Sequence, residues 1–287
     1  MRYIFLLALF SSTLLGQSPS NLKADKLVGH VKTVRTEQTW TENKAESRRV
    51  LMTIETYDRA GNKTEWDAYK GDERPMRALF SYDEEGRVIN DEWYNSAEDL
   101  IAKTTYTYDE KGRLIEEETS NGLKTLYSYD SRNNRVLRRT YDLATSEGGR
   151  RFGDANVNVR YSYDKHNNLI RVASFKRSGS RVWNPELQAH RIVYSYDSNR
   201  RIKTQTVFNA DNSMRIKTRF GYDSKDRIIS ETVFAGKSRV TTVYRYRYQF
   251  DSMDNWVTQV KTKDVTKKGQ PGLAVVDTVY RTIGYWN

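Results

Sequence analysis

The chain has 287 residues, with 48 Lys and Arg against 37 Asp and Glu, a net charge of +11, three His and no Cys. The missing cysteine excludes disulfides, thiol catalysis, zinc–thiolate sites and a lipid-modified N-terminal cysteine. Hydrophobic residues make up only 37% and aromatic ones 12%, with a mean hydropathy of −0.83; this is too lean for a thick two-layer core, too ring-rich for disorder, and suited to thin sheets with one face built from rings.

Residues 1–16 read as a signal peptide. Arg2 supplies the positive start, residues 3–15 an apolar stretch, and Gly16-Gln17-Ser18 the small polar residues beyond it. That stretch is too short to span a bilayer, and cleavage near Gly16 is expected. No later segment is apolar enough for a transmembrane helix. The protein is therefore expected outside the cytoplasm, in the periplasm, at the cell surface or in the medium. Residues 17–48 read as an approach segment with a capping strand.

From 49 to 262 one unit recurs eight times. Tyr-Asp (once Phe-Asp) stands at Tyr57-Asp58, Tyr82-Asp83, Tyr108-Asp109, Tyr129-Asp130, Tyr163-Asp164, Tyr196-Asp197, Tyr222-Asp223 and Phe250-Asp251. With that Tyr or Phe as position 0, position −2 is aromatic in every unit but the first, which has Glu55. Position +12 is aromatic at Tyr69, Tyr94, Tyr141, Phe175, Phe208 and Phe234. Position +4 reads Gly61, Gly86, Gly112, Asn133, Asn167, Arg200, Asp226 and Asp254. All of these except Arg200 are residue types that tolerate a left-handed backbone. Aspartate at +1 with such a residue three positions later predicts a type I turn closed by a bulge, a standard hairpin connection.

Side chains alternate along a strand, so the rings at −2 and 0 share one face. A second turn follows position +12, as in Tyr94-Asn95-Ser96-Ala97-Glu98-Asp99. Each unit is then two antiparallel strands, and eight units give on the order of sixteen strands in one serially paired sheet. The expected fold is all-β: serial antiparallel hairpins in an extended, twisted or coiled sheet, its exposed end strands open to pairing with another copy. Residues 263–287 read as a basic loop and a C-terminal capping strand.

Tyr-Asp-Glu-Glu-Gly-Arg-Val-Ile (82–89) and Tyr-Asp-Glu-Lys-Gly-Arg-Leu-Ile (108–115) resemble the YD repeat of the RHS family. The resemblance covers about 57–262 and is strongest over 80–140. Larger members coil such a strip into a hollow shell around a C-terminal toxin, or serve at cell surfaces in association with carbohydrate. This chain is far shorter and lacks the Asp-Pro-x-Gly-type stretch that marks autoproteolytic cargo release, so the resemblance does not imply a toxin shell here.

Few residues point to chemistry. The turn aspartates do not form a calcium loop, no metal site or cofactor is expected, and none of His30, His166 and His190 has metal-ligand spacing. No nucleophile elbow, P-loop or dinucleotide fingerprint is present. The arginines at +5 (Arg87, Arg113, Arg201, Arg227) either line a polyanion track or pair with the turn aspartates. Insertions near 142–158, 176–190 and 263–274 should leave the same sheet edge, carrying Arg150, Arg151, Arg181, Trp183, Lys267 and Lys268 as candidate ligand-binding residues. The expected function is an exported, non-enzymatic binding or envelope-structural module for anionic glycans or other polyanions, not nucleic acid. A lyase-like polysaccharide-degrading enzyme and an outer-membrane β-barrel are the alternatives.

Overall fold

The turns form as the repeat dictates. In all eight units the +1 aspartate Oδ1 accepts the backbone N–H of residue +5 at 2.7–3.0 Å, from Asp58–Asn62 to Asp251–Asn255. Residue +4 has a positive φ of 60–87° in every unit, Arg200 included. The aspartates at Asp58, Asp83, Asp109, Asp130, Asp164, Asp197, Asp223 and Asp251 are thus turn closers, and Gly61, Gly86, Gly112, Asn133, Asn167, Asp226 and Asp254 supply the left-handed bulge.

A computed structural model describes residues 22, 25–42, 45–46, 48–70, 73–142, 157–176, 191–236, 239–267 and 270–287. The expected signal peptide lies outside the described residues. In chain order the strands are β1 (Val31–Glu42), β2 (Ala45–Glu46), β3 (Val50–Tyr57), β4 (Lys63–Lys70), β5 (Glu73–Tyr82), β6 (Val88–Asn95), β7 (Leu100–Tyr108), β8 (Leu114–Thr119), β9 (Leu123–Tyr129) and β10 (Arg135–Asp142). They continue as β11 (Val157–Tyr163), β12 (Leu169–Lys176), β13 (Arg191–Tyr196), β14 (Ile202–Phe208), β15 (Met214–Tyr222), β16 (Ile228–Ala235), β17 (Arg239–Phe250), β18 (Trp256–Lys267) and β19 (Gln270–Tyr285). The eight repeats are the hairpins from β3–β4 to β17–β18, each antiparallel to the next.

The hairpins are serial as expected, but the sheet is not the extended, twisted or coiled one expected from the repeat. β1 pairs with β3 on one side and with β19 on the other, from Val31↔Tyr285 to Trp40↔Asp277. With β2 only a two-residue flap on β1, the other 18 strands close into a β-barrel. Residues flanking the repeats, expected to cap a strip, instead join its two ends. Closure removes the long free edges on which pairing between copies would depend, among the described residues. The basic loop expected over 263–274 is also strand on both sides of 268–269, because β18 pairs with β19 as far as Lys267↔Gln270.

The register decides which side chains face the lumen. Tyr57, Tyr161 and Tyr194 are buried with Val31, Val34, Val157 and Val159 on the inner face. Between Val88 and Asn90 the ladder skips one residue, and the same bulge follows the other repeat turns. An extra residue reverses the alternation beyond it. Positions +9 and +11 therefore point inward, as do Asp91, Trp93 and Glu117, while +10 and +12 point outward. The +12 rings stand on the outer surface, opposite to the rings at −2 and 0.

One hydrogen bond repeats around the wall. The hydroxyl at position 0 donates to the carbonyl of residue +6 in the preceding repeat: Tyr82 to Lys63, Tyr108 to Val88 (2.8 Å), Tyr129 to Leu114 (2.7 Å), Tyr163 to Arg135 (2.9 Å), Tyr196 to Leu169 (2.7 Å) and Tyr222 to Ile202 (2.8 Å). The eighth repeat has Phe250 at position 0. Its ladder slides by two residues, pairing Ser230 with Arg245, and Tyr248 donates to Ile228 instead at 2.8 Å. Each such bond ties one hairpin to the next across the gap between their turns. Tyr108→Phe leaves the carbonyl of fully buried Val88 without this donor and should cost about 1–3 kcal/mol. Urea unfolding tests it: an unchanged midpoint would mean that the bond contributes nothing.

Candidate functional site

The outer surface divides into two walls. Across β4–β9 its charges are matched. Arg77 lies against Glu65 and 3.3 Å from Asp67, Lys103 lies 2.8 Å from Glu92, and Lys124 bridges Glu116 (2.5 Å) and Glu118 (3.4 Å). The Lys103 hydrogen bond holds the Glu92 carboxyl below its ordinary range, and Glu116 raises the Lys124 ammonium. These side chains satisfy one another.

From β10 to β17 the outward strand positions hold Arg139, Arg160, Arg171, Arg191, Lys217, Arg219, Arg245 and Arg247, and no carboxylate. Only Arg245 forms an ion pair among the described residues, at 3.0 Å to Asp264 of β18. The guanidinium groups of Arg160, Arg191 and Arg219 lie 5.6, 4.1 and 5.6 Å from the ring centres of Phe175, Phe208 and Phe234. These rings hold position +12 in three successive repeats, two strands apart, which spaces them by about 10 Å. The result is a cationic wall with a regular row of capped rings.

The inner wall balances its own charge. Tyr106 donates to Asp91 at 2.5 Å, Trp93 Nε1 donates to the same carboxylate at 3.1 Å, and Tyr127 donates to Glu117. Burial raises the Glu117 carboxyl, with Arg138 and Arg135 as the opposing charges. At the seam, Lys63 Nζ lies 2.9 Å from Glu55 and 3.3 Å from Asp25, while the Tyr57 hydroxyl sits between the two carboxylates, 2.8 and 2.7 Å away, with its one proton to donate to either. These groups hold strands and the N-terminal segment together. Among the described residues no group of three or more His, Asp or Glu side chains is placed to hold a metal ion.

Hairpins tied in series, a tyrosine and an aspartate at each turn, and closure into a shell-like wall agree with a sequence match to the Teneurin YD-shell family over residues 1–166. The chain belongs to the Teneurin YD-shell family. Among solved structures, a porin-like protein from Bacteroides uniformis is similar at a TM-score of 0.45 and 10% sequence identity, covering 94% of this chain and 99% of that chain. No curated protein matches the chain.

In this YD-shell chain the +5 arginines belong to the scaffold. Arg87, Arg113, Arg201 and Arg227 each pair with their own turn aspartate at 2.6–2.8 Å. Each also stacks on the position-0 ring of the next repeat, at 4.3–5.1 Å from Tyr108, Tyr129, Tyr222 and Phe250. That favours the pairing reading of these arginines over the track.

Of the candidate loop residues, Arg150, Arg151, Arg181, Trp183 and Lys268 lie outside the described residues. Lys267 ends β18, and its side chain lies outside them too. The strand ends that the two long connections join are Asp142 and Val157, Lys176 and Arg191, all on the rim beside Phe175. His166 lies in a turn bordering a cleft of about 620 Å³ between the fifth and sixth turns, and His190 falls outside the described residues. Sequence reasoning missed the basic wall itself, whose signal is the absence of acids from alternate positions of β10–β17.

Proposed function

We propose that this YD-shell barrel is an exported, non-enzymatic binding module that takes an anionic glycan of the cell envelope along the outer wall of β10–β17. The carrying observation is the row of outward cations, of which only Arg245 has a carboxylate partner among the described residues, set against a matched wall on the other side. Arg160, Arg191 and Arg219 offer charge, and the rings under them offer flat faces. Their spacing of about two strands suits successive pairs of sugar rings in an extended chain. Arg150, Arg151, Arg181 and Trp183, on connections that join the same rim, would extend the surface. Export removes nucleic acid from reach.

A membrane-spanning barrel needs an apolar outer band. The charges of Arg77, Glu92, Lys103, Arg160 and Arg171 on the outer wall weigh against it. The test is binding of a labelled polyuronate by the chain from residue 17 onward, with a neutral β-linked glucan as control. Polyuronate binding is expected to weaken as salt rises and to fall about tenfold or more when Arg160, Arg191 and Arg219 are all changed to Ser. Changing Lys103 and Lys124 to Ser should leave it intact. Equal binding of the neutral glucan, or indifference to the arginine changes, refutes the wall as the site. Release of new chain ends with turnover would instead support the lyase reading.

A further inference from the structure

Half of the repeats place arginine at position +5, and the others place asparagine there: Asn62, Asn134, Asn168 and Asn255. The arginines fill the gap to the next repeat, each pairing with its own turn aspartate and lying over the next position-0 ring. Asparagine is too short to reach that ring, and most of the gaps beside it are closed in other ways. Asn62 lies against Gly86 of the second turn. Arg132 donates to the carbonyl of Asp164 at 3.3 Å, and Asn134 donates to Asn167 at 3.2 Å. Asn255 Nδ2 donates to the Val28 carbonyl and the Tyr285 hydroxyl, both at 2.8 Å.

Between the fifth and sixth turns the gap stays open. Arg113 reaches Asn133, Arg201 reaches Asp226 and Lys225 reaches Asp254 at 2.7–3.0 Å, each crossing to the next turn. Among the described residues no such side-chain bond joins residues 164–168 to 197–201. The cleft of about 620 Å³ lies here, within the range of roughly 300–1,000 Å³ usual for small-molecule sites.

Three of its lining residues are left with unused capacity. Asn168 donates to the Asp164 carboxylate at 2.9 Å and, with the backbone N–H groups of His166 and Asn168, holds that carboxyl below its ordinary range, so it is ionised at neutral pH. Yet Asp164 has no ion pair among the described residues, because its +5 partner is neutral. The Tyr196 ring carries no cation among the described residues, unlike those of Tyr108, Tyr129 and Tyr222. From the sixth turn comes Arg200, the one +4 residue that is not Gly, Asn or Asp. It is held at a φ of 62°, which arginine disfavours, and forms no ion pair among the described residues.

We propose that this cleft binds a small guanidinium compound bearing a carboxylate, of which L-arginine is the simplest. Its guanidinium would take the place left by Asn168, between Asp164 and the Tyr196 ring, and its carboxylate would meet Arg200. The neighbouring repeats supply the template, since their own arginines make both contacts at once. A flat, delocalised cation can lie on a ring while presenting N–H groups to a carboxylate, which an ammonium cannot do as well. The charges of the cleft select the rest of the ligand. A simple cation would face Arg200 unopposed and a simple anion would face Asp164 unopposed, whereas a ligand with both charges satisfies both.

The site contains none of Arg160, Arg191 and Arg219, so it stands or falls apart from glycan binding. Isothermal titration of the protein with L-arginine should show saturable binding. L-citrulline, in which a neutral urea group replaces the guanidinium, should bind about tenfold more weakly or worse. Asn168→Arg copies the arrangement of the neighbouring repeats and should fill the seat. Its affinity for L-arginine is expected to fall about tenfold or more, with a melting temperature at or above that of the parent. Arg200→Asn, which installs the residue type of the fifth repeat, should weaken L-arginine binding and spare agmatine, the same skeleton without its carboxylate. Absence of saturable L-arginine binding, equal binding of citrulline, or an unaltered affinity in Asn168→Arg would overturn the proposal. So would equal losses of L-arginine and agmatine in Arg200→Asn.

Discussion

Replacing Lys63 with methionine is expected to lower the unfolding free energy by about 3–5 kcal/mol, the range for breaking a buried ion pair from one side. The ammonium is 4% exposed, and its partners Asp25 and Glu55 are 8% and 10% exposed. Removing it leaves two carboxylates and the Tyr57 hydroxyl facing one another, with Arg281 as the nearby cation and its own charge already disfavoured by burial. The four charged side chains come from the N-terminal segment, β3, β4 and β19, so the cluster lies where the ring shuts. Amide exchange should therefore lose protection first in β1 and β19, before the hairpins of the middle repeats. Glu55→Gln added to Lys63→Met should restore part of the loss, because one of the stranded charges is gone. A single variant that melts like the parent would show that the cluster does not hold the seam.

That cluster was visible in the sequence as two exceptions without an explanation. Glu55 is the one non-aromatic residue at position −2, and Lys63 stands at +6, where five other repeats have Val88, Leu114, Leu169, Ile202 or Ile228, the eighth has Trp256 and only the fourth, with Arg135, is also cationic. Each exception is satisfied by the other. The turns were legible because their chemistry is local: Asp at +1 and Gly, Asn or Asp at +4 force the hairpin, and even Arg200 follows its neighbours. The outward placement of +12 was not legible, since one bulged residue after each turn reverses the alternation without changing the spacing.

Closure was hidden for another reason. It depends on curvature accumulated over the whole sheet and on Val31–Trp40 meeting Tyr285–Asp277, residues that lie almost a chain length apart. The basic wall depends on cross-strand partners in the same way. Arg77 faces Asp67, whereas Arg160 faces Ala173 and Arg219 faces Thr232. A composition count sees three arginines, and only the register separates the one set against a carboxylate from the two whose cross-strand partners are uncharged.

Alkali should unfold this barrel in one steep transition between about pH 10 and pH 12. Burial, the largest cause at each ring, raises the hydroxyls of Tyr57, Tyr82, Tyr106, Tyr127, Tyr129, Tyr163, Tyr222 and Tyr246 above the ordinary tyrosine value, and lifts Tyr196 to about 12. Several of the same hydroxyls donate the bonds that tie one hairpin to the next. The sign follows from proton binding. Below pH 10 both states keep their phenolic protons, and the stabilising contribution is complete. Above it the unfolded chain loses protons that the folded chain retains, so stability falls as pH rises. Each retained proton adds about 1.4 kcal/mol per pH unit to the slope, and several acting together make the loss abrupt. Tyrosinate absorbance and far-ultraviolet circular dichroism should consequently change together. Tyr106→Phe removes one proton from the difference and should make the transition shallower even where the variant is less stable at neutral pH. If tyrosinate instead forms gradually around pH 10 while the strand signal persists, the rings are open to solvent and do not lock the repeats.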